Sequence, residues 1–526
     1  MTIANILRKK ENGSGGGVAA SHSTLKQVLP LEQHSAEPRA AEPRTALERK
    51  LSNKCDRLID TTYRNNCESD YTERISALSK GFNYRENSDR LWSEPAHSLL
   101  YGTPLYGQAT EAQKLALNHL SWFANYNYIS NSETETVMYN QVTGSVFETV
   151  GYTTLSDELS FETEQEQEHI KAFRKVGLMT ATSLIGRSGL SALLKWNSYR
   201  LKLGKQTLTT YQYYALRSLA KTAGGRAHQP HYSQYLQQIE AESAFILKTP
   251  TAGMLGRSIG PSLPWQSFYG FSWGTGSPFM ACQFYTIRMI ANLYLKNMEH
   301  AIAKYARRLE NDSAPVPAPT AISRCHFLDE AFHTTISRLL ARDLYRVFDQ
   351  PSAYESAVAN SILLKMQKGT LGGLSAVLPH RYFADDFTIF ELLYQLLQSP
   401  VFGFDSAEAQ HWMRLCLCAE HTGIHVAAAN RERLLKELKD FFCDIPYLWS
   451  VNREMSAMAG RGTIETTLAQ NKKALENFWQ ARGYQAPTKQ NGAKQNSARQ
   501  KTVAKRKTVA TQKSTATQKI AKKEQG

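Results

Sequence analysis

The stretch "HFLDEAFH", from His326 to His333, places two histidines and a glutamate at helical spacing. His326, Glu330 and His333 are four and three residues apart, so they share one face of an α-helix. Imidazole and carboxylate groups that converge in this way are a donor set for a metal ion. A single motif of this kind also occurs in helices whose buried histidines are only hydrogen-bonded. The stretch therefore needs partners elsewhere in the chain.

A second Glu-x-x-His motif lies in "FETEQEQEHIKAF", where Glu166 and His169 are three residues apart. Two such motifs on separate helices are typical of a four-helix bundle that holds two metal ions. In that arrangement each of the other two helices supplies one further glutamate. We therefore expect one such glutamate on the helix that precedes each motif.

These two further glutamates are predicted from spacing. Glu299 is the first acidic residue of its predicted helix, 279–310, and lies 31 residues before Glu330. Glu133 and Glu135 compete for the other position. Glu133 is preferred because it continues the apolar stripe of its helix, and it lies 33 residues before Glu166. The two similar spacings predict two helix hairpins, each with one glutamate beside one motif.

The predicted metal ligands are four carboxylates and three imidazoles. They are Glu133, Glu166, His169, Glu299, His326, Glu330 and His333. Carboxylates can bridge two metal ions, whereas a neutral imidazole nitrogen fixes one terminal position. His326 would make one metal richer in nitrogen than the other, and the neighbouring Asp329 could orient a ligand.

The predicted fold class is all-α: a four-helix bundle with a dimetal site, extra helices and disordered termini. The bundle helices are predicted over 111–149, 157–184, 279–310 and 319–348, with an insertion over 190–278. A flexible leader over 1–46, a helical domain over 47–450, a helical or linker region over 451–485 and a disordered basic tail over 486–526 complete the organisation. Further helices are expected after residue 348.

The positive charge is concentrated at the end of the chain. Of a net charge of +15, the segment 486–526 carries +10, from eleven Lys and Arg against one Glu. Its low-complexity Lys, Ala, Thr and Gln composition cannot bury enough apolar surface to fold. The segment is interpreted as a solvated extension or as a binding site for an acidic partner.

Composition indicates a cytoplasmic protein. No apolar run approaches the roughly 20 residues that a membrane span needs, and the first residues lack a secretory signal. Seven cysteines without a framework spacing fit reduced thiols.

The order Glu, Glu-x-x-His, Glu, His-x-x-x-Glu-x-x-His resembles the ferritin-like di-iron oxygenases of the p-aminobenzoate N-oxygenase type. That resemblance implies the seven ligands named above, with His326 as the additional histidine. It also implies two iron ions, with Fe/Fe and Mn/Fe both open, and O2 as co-substrate. The implied function is N-oxygenation or hydroxylation of an organic substrate in natural-product metabolism. No dinucleotide motif occurs, so an external electron donor is expected.

The same scaffold also resembles the dimetal-carboxylate halogenases of cyanobacterial natural-product pathways. That second resemblance implies an acyl chain tethered to a carrier protein as the substrate, in place of a free small molecule. Two other classes stay open from the sequence: a ferritin-like protein that binds metal without catalysis, and a basic nucleic-acid-binding protein. The latter is disfavoured because no recognisable reading motif accompanies the basic tail.

Overall fold

Helices form the regular secondary structure of the described residues. The computed structural model describes residues 46–203, 210–224, 233–241 and 277–483. The α-helices are α1 (Ala46–Glu68), α2 (Thr72–Gly81), α3 (Pro104–Gln108), α4 (Glu111–Thr149), α5 (Thr153–Leu203), α6 (Thr210–Gly224), α7 (Gln234–Ala241), α8 (Pro278–Asn311), α9 (Ala318–Arg342), α10 (Ala353–Thr370), α11 (Phe387–Gln398), α12 (Ser406–Cys418), α13 (Thr422–Phe442), α14 (Ser450–Arg453) and α15 (Ile464–Ala481). The prediction of an all-α fold is confirmed.

Four of these helices, α4, α5, α8 and α9, frame the candidate site. α4 packs along α5, and α8 packs along α9. A short connection joins the two helices of each pair, so each pair is an antiparallel hairpin. The hairpins expected from the repeated spacing are therefore present, and each brings one glutamate-bearing helix beside a helix with a Glu-x-x-His motif.

Capping residues explain where these helices begin. The Thr110 side chain accepts a hydrogen bond from the Gln113 backbone, and the Gln113 side chain accepts one from the Thr110 backbone, which forms a capping box before α4. Ser277 caps α8 in a similar way, and Pro278 follows it at the first helical position. These signals are local in sequence, so the predicted starts at 111 and 279 agree with the structure to within one residue.

Helix α5 is longer than the predicted 157–184, because it continues past a break at Gly186. Gly186 has φ 71° and ψ 170°, a conformation that residues with a side chain rarely adopt. The chain changes direction at this residue and then resumes a helical course. The metal-site motif lies well before the break, on the first segment.

A buried aromatic cluster fixes α4 against α5 and α9. The Trp122 and Tyr126 rings are stacked with centroids 4.4 Å apart, and Phe173 of α5 lies 4.5 Å from Tyr126. The Trp122 indole nitrogen donates a hydrogen bond of 2.9 Å to the Ser323 hydroxyl of α9. This cluster adjoins the candidate site, because Phe173 follows His169 by one helical turn and Tyr126 precedes Glu133 by two.

The expected helices after residue 348 are present as α10 to α13, and α14 and α15 lie in the region predicted as helical or linker. The leader up to residue 45, the tail over 486–526 and much of the insertion lie outside the described residues. No helix in the described part of the chain is long and apolar enough to cross a membrane.

Candidate metal centre

The bundle helices direct acidic and imidazole side chains into one interior region. The seven predicted residues lie on four helices: Glu133 on α4; Glu166 and His169 on α5; Glu299 on α8; His326, Glu330 and His333 on α9. All seven are buried, with at most 6 % of their surface exposed. Buried carboxylates are costly unless a cation or hydrogen-bond donors compensate them, so this concentration requires a partner charge.

Five of the seven residues form one group of potential ligands. Glu133, Glu166, His169, His326 and Glu330 each offer an oxygen or nitrogen atom, and these atoms all lie within 4.8 Å of one another. Three different helices contribute them. The group therefore has the mixed oxygen and nitrogen donors that suit a first-row transition metal.

A second group lies beside the first and shares one residue with it. Glu162, Glu166 and His333 offer donor atoms that also lie within 4.8 Å of one another. Glu330 adjoins this group too, because its Oε1 lies 3.0 Å from His333 Nδ1. Two candidate metal positions result, with Glu166 common to both and Glu330 next to both.

Glu299 occupies a different place from the other predicted ligands. It accepts a 2.6 Å hydrogen bond from the Tyr126 hydroxyl and a 2.7 Å hydrogen bond from His326 Nδ1. It belongs to neither group of ligand atoms in the described residues. Burial raises the pKa of Glu299. In this structure Glu299 orients His326, whose other nitrogen, Nε2, lies 3.0 Å from Glu133.

The other two histidines are each oriented by a polar side chain on the helix that carries the other motif. His169 Nε2 lies 3.1 Å from Asp329 Oδ2, and His333 Nε2 donates a 2.9 Å hydrogen bond to Gln165 Oε1. In both residues Nδ1 is left to face the carboxylates. A hydrogen bond on one ring nitrogen that fixes the other toward a metal is a common arrangement around protein metal ions.

Several buried atoms of the site have no hydrogen-bond partner in the described structure. They are the Oε2 atoms of Glu133, Glu162, Glu166 and Glu299, and Nδ1 of His169. Such atoms are unfavourable in a protein interior, because each has lost its water without gaining a partner. Carboxylate oxygens and imidazole nitrogens are ligands of divalent metals, so bound metal ions would satisfy them. The residues present therefore fit a dimetal centre.

The histidines carry part of the compensating charge. Burial acts against protonation of His169, but its hydrogen bond to Asp329 and the Glu166 carboxylate, 3.5 Å from Nδ1, raise its pKa to about 9. Burial likewise opposes protonation of His333, while the charges of Glu162 and Glu330 raise its pKa to about 10. Because a metal ion binds neutral imidazole, metal binding at these positions would displace protons.

Arg288 of α8 supplies a permanent positive charge beside the site. It is 6 % exposed and pairs with Glu162 through Nη1 and with Glu166 through Nη2, the latter at 3.2 Å. Burial alone would lower the pKa of Arg288, but the charges of Glu162 and Glu166 raise it. The guanidinium therefore holds both carboxylates and offsets part of their charge.

Sequence reasoning missed Glu162, Gln165 and Arg288. Glu162 lies one turn before Glu166. The stretch contains so many acidic residues that the sequence does not show which of them face the site. Arg288 had a usable signal. It is the one charged residue between Pro278 and Leu295, and it lies three helical turns before Glu299 on the same face.

A groove of about 630 Å³ connects the site to the protein surface. Glu330 is part of its wall, together with apolar side chains that include Leu295, Phe327 and Leu339. α9 supplies most of the lining, and α1, α8 and Asp343, which follows α9, supply the remainder. The volume lies in the range of small-molecule sites, so an organic molecule could reach the carboxylate cluster.

An all-α bundle with two adjoining groups of buried carboxylates and imidazoles belongs to the structural class of ferritin-like proteins with dimetal-carboxylate sites. A family model described as acyl halogenase CylC-like matches residues 54–479. The chain therefore belongs to the CylC-like acyl halogenase family. No curated protein and no solved structure is similar enough to match it. The comparisons give the p-aminobenzoate N-oxygenase resemblance no support, and the halogenase resemblance is the one in agreement with the family.

Proposed function

We propose that this chain is a dimetal-carboxylate halogenase that replaces a C–H hydrogen of an acyl chain with a halogen. The observation that carries the proposal is the pair of ligand groups that share Glu166, in a chain that belongs to an acyl halogenase family. Both groups are buried, and a groove leads from the surface to Glu330. A buried metal centre with a lined approach would suit a reaction at an unactivated carbon.

Two metal ions would be held by the shared carboxylates and the imidazoles, as two irons or as manganese with iron. The residues proposed to hold them are Glu133, Glu166, His169, His326, Glu330 and His333, together with Glu162 of the second group. Glu299 is proposed to join them through Oε2, while its Oε1 keeps the contact with His326. When bound, the metals would supply oxidation by O2. In the overall reaction a C–H bond, a halide ion, O2, three protons and two electrons from an external donor would give a C–halogen bond and two water molecules.

The protein's own residues prepare the site for that chemistry. Asp329, Gln165 and Glu299 hold the three imidazoles by hydrogen bonds, so that each presents its other nitrogen to the carboxylates. Arg288 keeps Glu162 and Glu166 in place. Burial of the cluster excludes bulk water, and Glu330 is the predicted ligand that also lines the groove.

The test is product analysis with a defined substrate. The iron-loaded full chain is incubated with a fatty acyl thioester on an acyl carrier protein, O2, a chemical reductant and chloride or bromide, and the product is analysed by mass spectrometry. A halogen isotope pattern that changes from chlorine to bromine with the salt supports the proposal. Recovery of unmodified acyl chain from protein with a loaded metal site would contradict it.

An oxygenase is the second candidate, because the order of the seven ligands also resembles the N-oxygenases. The same centre without halide transfer would hydroxylate or N-oxygenate its substrate. The assay above separates the two functions: a product heavier by one oxygen, and independent of the halide salt, identifies the oxygenase. A product with halogen excludes it as the main activity.

A purely metal-binding protein is disfavoured by the groove. Metal storage needs no lined approach of about 630 Å³ to a ligand, whereas substrate oxidation does.

For the basic segment 486–526 we propose electrostatic steering of an acidic carrier protein. Deletion of this segment should slow carrier-tethered turnover at low salt, and unchanged turnover there would refute its role.

A further inference from the structure

The groove has chemically different ends. Next to Glu330 its wall includes Phe327, Ala331 and the buried Leu295, and the exposed Lys296, which follows Leu295, is the cation of this part. Farther along α9 the lining becomes basic. Arg338 follows Glu330 by eight residues, which corresponds to about 12 Å along the helix axis, and Arg342 follows by twelve residues, or about 18 Å. The groove is therefore amphipathic along its length.

Lys54 of α1 joins the two arginines at the end far from Glu330. It precedes Cys55, whose thiol interacts electrostatically with Asp343, and both Lys54 and Asp343 line the groove. We call Lys54, Arg338 and Arg342 the basic end; Asp343 is the acidic residue that lines it, so the three cations leave it with a net positive charge. Lys54 and Arg338 are exposed and form no ion pair with another described residue, whereas Arg342 pairs with Asp444 at 2.6 Å. Two cations of the basic end are thus available to a ligand.

A polar side chain lies in the wall as well. Asn292 of α8 is 4 % exposed, and its amide nitrogen has no hydrogen-bond partner in the described structure. It lines the same groove and precedes Glu299 by seven residues, or about 10 Å along the helix axis. A buried amide without a partner is unfavourable. A ligand with a carbonyl or amide group in this part of the groove would satisfy it.

From these features we propose that the groove binds the acyl substrate with its anionic head group at the basic end and its apolar chain directed to Glu330. This inference rests on the proposed function for the acyl chain. The cationic side chains would bind the head group. The Asn292 amide would donate a hydrogen bond to a polar group between the head group and the apolar chain. Two head groups share the required chemistry: the phosphate of a phosphopantetheine arm and the carboxylate of a free fatty acid.

Binding without turnover tests the inference. The ligands are dodecanoyl phosphopantetheine, dodecanoyl pantetheine without the phosphate, and dodecanoic acid, each titrated calorimetrically into the full chain without reductant. The variant is Lys54→Gln/Arg338→Gln. Its matched control, Arg57→Gln/Arg307→Gln, removes two exposed charges from α1 and α8 outside the groove. Thermal unfolding of both variants verifies that they fold.

We expect the groove variant to lose at least tenfold in affinity for an anionic ligand and the control variant to lose less than twofold. The neutral pantetheine thioester should bind both variants alike. Loss of affinity for dodecanoyl phosphopantetheine in the groove variant identifies a phosphopantetheine head group. Loss of affinity for dodecanoic acid identifies a free acid. Equal affinities in the groove variant and the control would overturn the inference.

Asn292→Ala gives an independent check on where the ligand lies. It should weaken both thioesters, charged and neutral, because the amide is expected to contact the polar part that they share. An unchanged affinity for both would place the ligand elsewhere. These measurements need no product, so charge-dependent binding together with a failed halogenation assay would refute the proposed reaction and leave the groove assignment intact.

Discussion

Glu166 is the residue on which both candidate metal positions depend. It belongs to both groups of ligand atoms, and Arg288 holds its Oε1. Its Oε2 is buried without a hydrogen-bond partner. A carboxylate that the protein holds through one oxygen can bind a metal ion through the other. The shared position also means that loss of Glu166 should affect both sites together.

Arg288 should matter most when no metal is present. Arg288→Met leaves Glu162 and Glu166 buried without their cation, so we expect it to lower the free energy of unfolding of the metal-free protein by about 3 kcal/mol or more. In the metal-loaded protein the loss should be less than half as large, because divalent ions supply positive charge. Denaturant titrations with and without manganese measure both values.

The control for this prediction is Arg324→Met. Arg324 pairs with Glu310 near the surface, where both side chains are about a third or more exposed, so its loss should cost less than about 1 kcal/mol in either state. Equal destabilisation of the Arg288 variant with and without metal would show that Arg288 has only a packing role.

His119 predicts a loss of stability in acid. It is fully buried, its Nε2 donates to the Arg90 carbonyl, and its Nδ1 accepts from the Tyr84 hydroxyl, so the folded protein holds it neutral. Burial lowers its pKa from 6.5 to about 4. The unfolded chain takes up the proton first, and therefore the free energy of unfolding falls as the pH drops from about 6.5 to about 4.

The size of this effect is on the order of 3 kcal/mol over that pH range. His119→Gln should remove the contribution, so its free energy of unfolding should fall less steeply with decreasing pH than that of the wild type. His425→Gln, at an exposed histidine, is the control and should keep the wild-type slope. Parallel curves for all three proteins would mean that His119 takes up its proton as readily in the folded protein as in the unfolded chain.

The ligand candidates were predictable at this scale because helical spacing alone brings i, i+3 and i+4 residues onto one face. The position of Glu299 as the partner of His326 Nδ1 was not, since it depends on side-chain rotamers in a packed interior. Arg288 was also missed. A lone charge in an apolar helix becomes informative only when its face is compared with that of Glu299.

At the scale of elements, the four bundle helices were predictable for a different reason. Their starts coincide with capping residues such as Thr110 and with prolines such as Pro278, which are signals within a few residues. The extension of α5 past Gly186 was not predicted. A glycine with positive φ ends one helical segment, and nothing local in the sequence shows that the chain resumes a helix directly afterwards.

A close backbone contact joins α13 to the segment before α3. The Gly423 nitrogen donates a 3.2 Å hydrogen bond to the Gly102 carbonyl, and a Cβ at Gly423 would lie 2.1 Å from the Tyr101 carbonyl oxygen. Gly423→Ala should therefore lower the free energy of unfolding by at least about 2 kcal/mol, because the backbone of one segment must move. Thermal or chemical unfolding measures the loss.

Gly107→Ala is the matched control. Gly107 lies in α3 with open space around its Cβ position, so alanine should be neutral or slightly stabilising, by up to about 1 kcal/mol. If the Gly423 variant were as stable as the control, α13 would not be held against the earlier segment as described.

At the scale of the whole molecule, function depends on features that several helices build together. The groove takes its lining from α1, α8 and α9, so no single stretch of sequence contains it. Helix α1 was not predicted as an element in its own right. Yet its Asn66 side chain donates to Glu158 and accepts from Gln165, which in turn holds His333. α1 is therefore connected to the metal centre as well as to the groove.

Metal content is the measurement that tests the central claim most directly. The full chain is reconstituted anaerobically with iron and manganese, desalted and analysed by mass spectrometry of the elements, beside Glu166→Ala and the control Glu164→Ala. Glu164 is exposed on the same helix. The account predicts about two metal ions per chain in the wild type and the control, and less than one in Glu166→Ala. A wild type that retains no metal or a single zinc, or a Glu166 variant that retains the full complement, would contradict it.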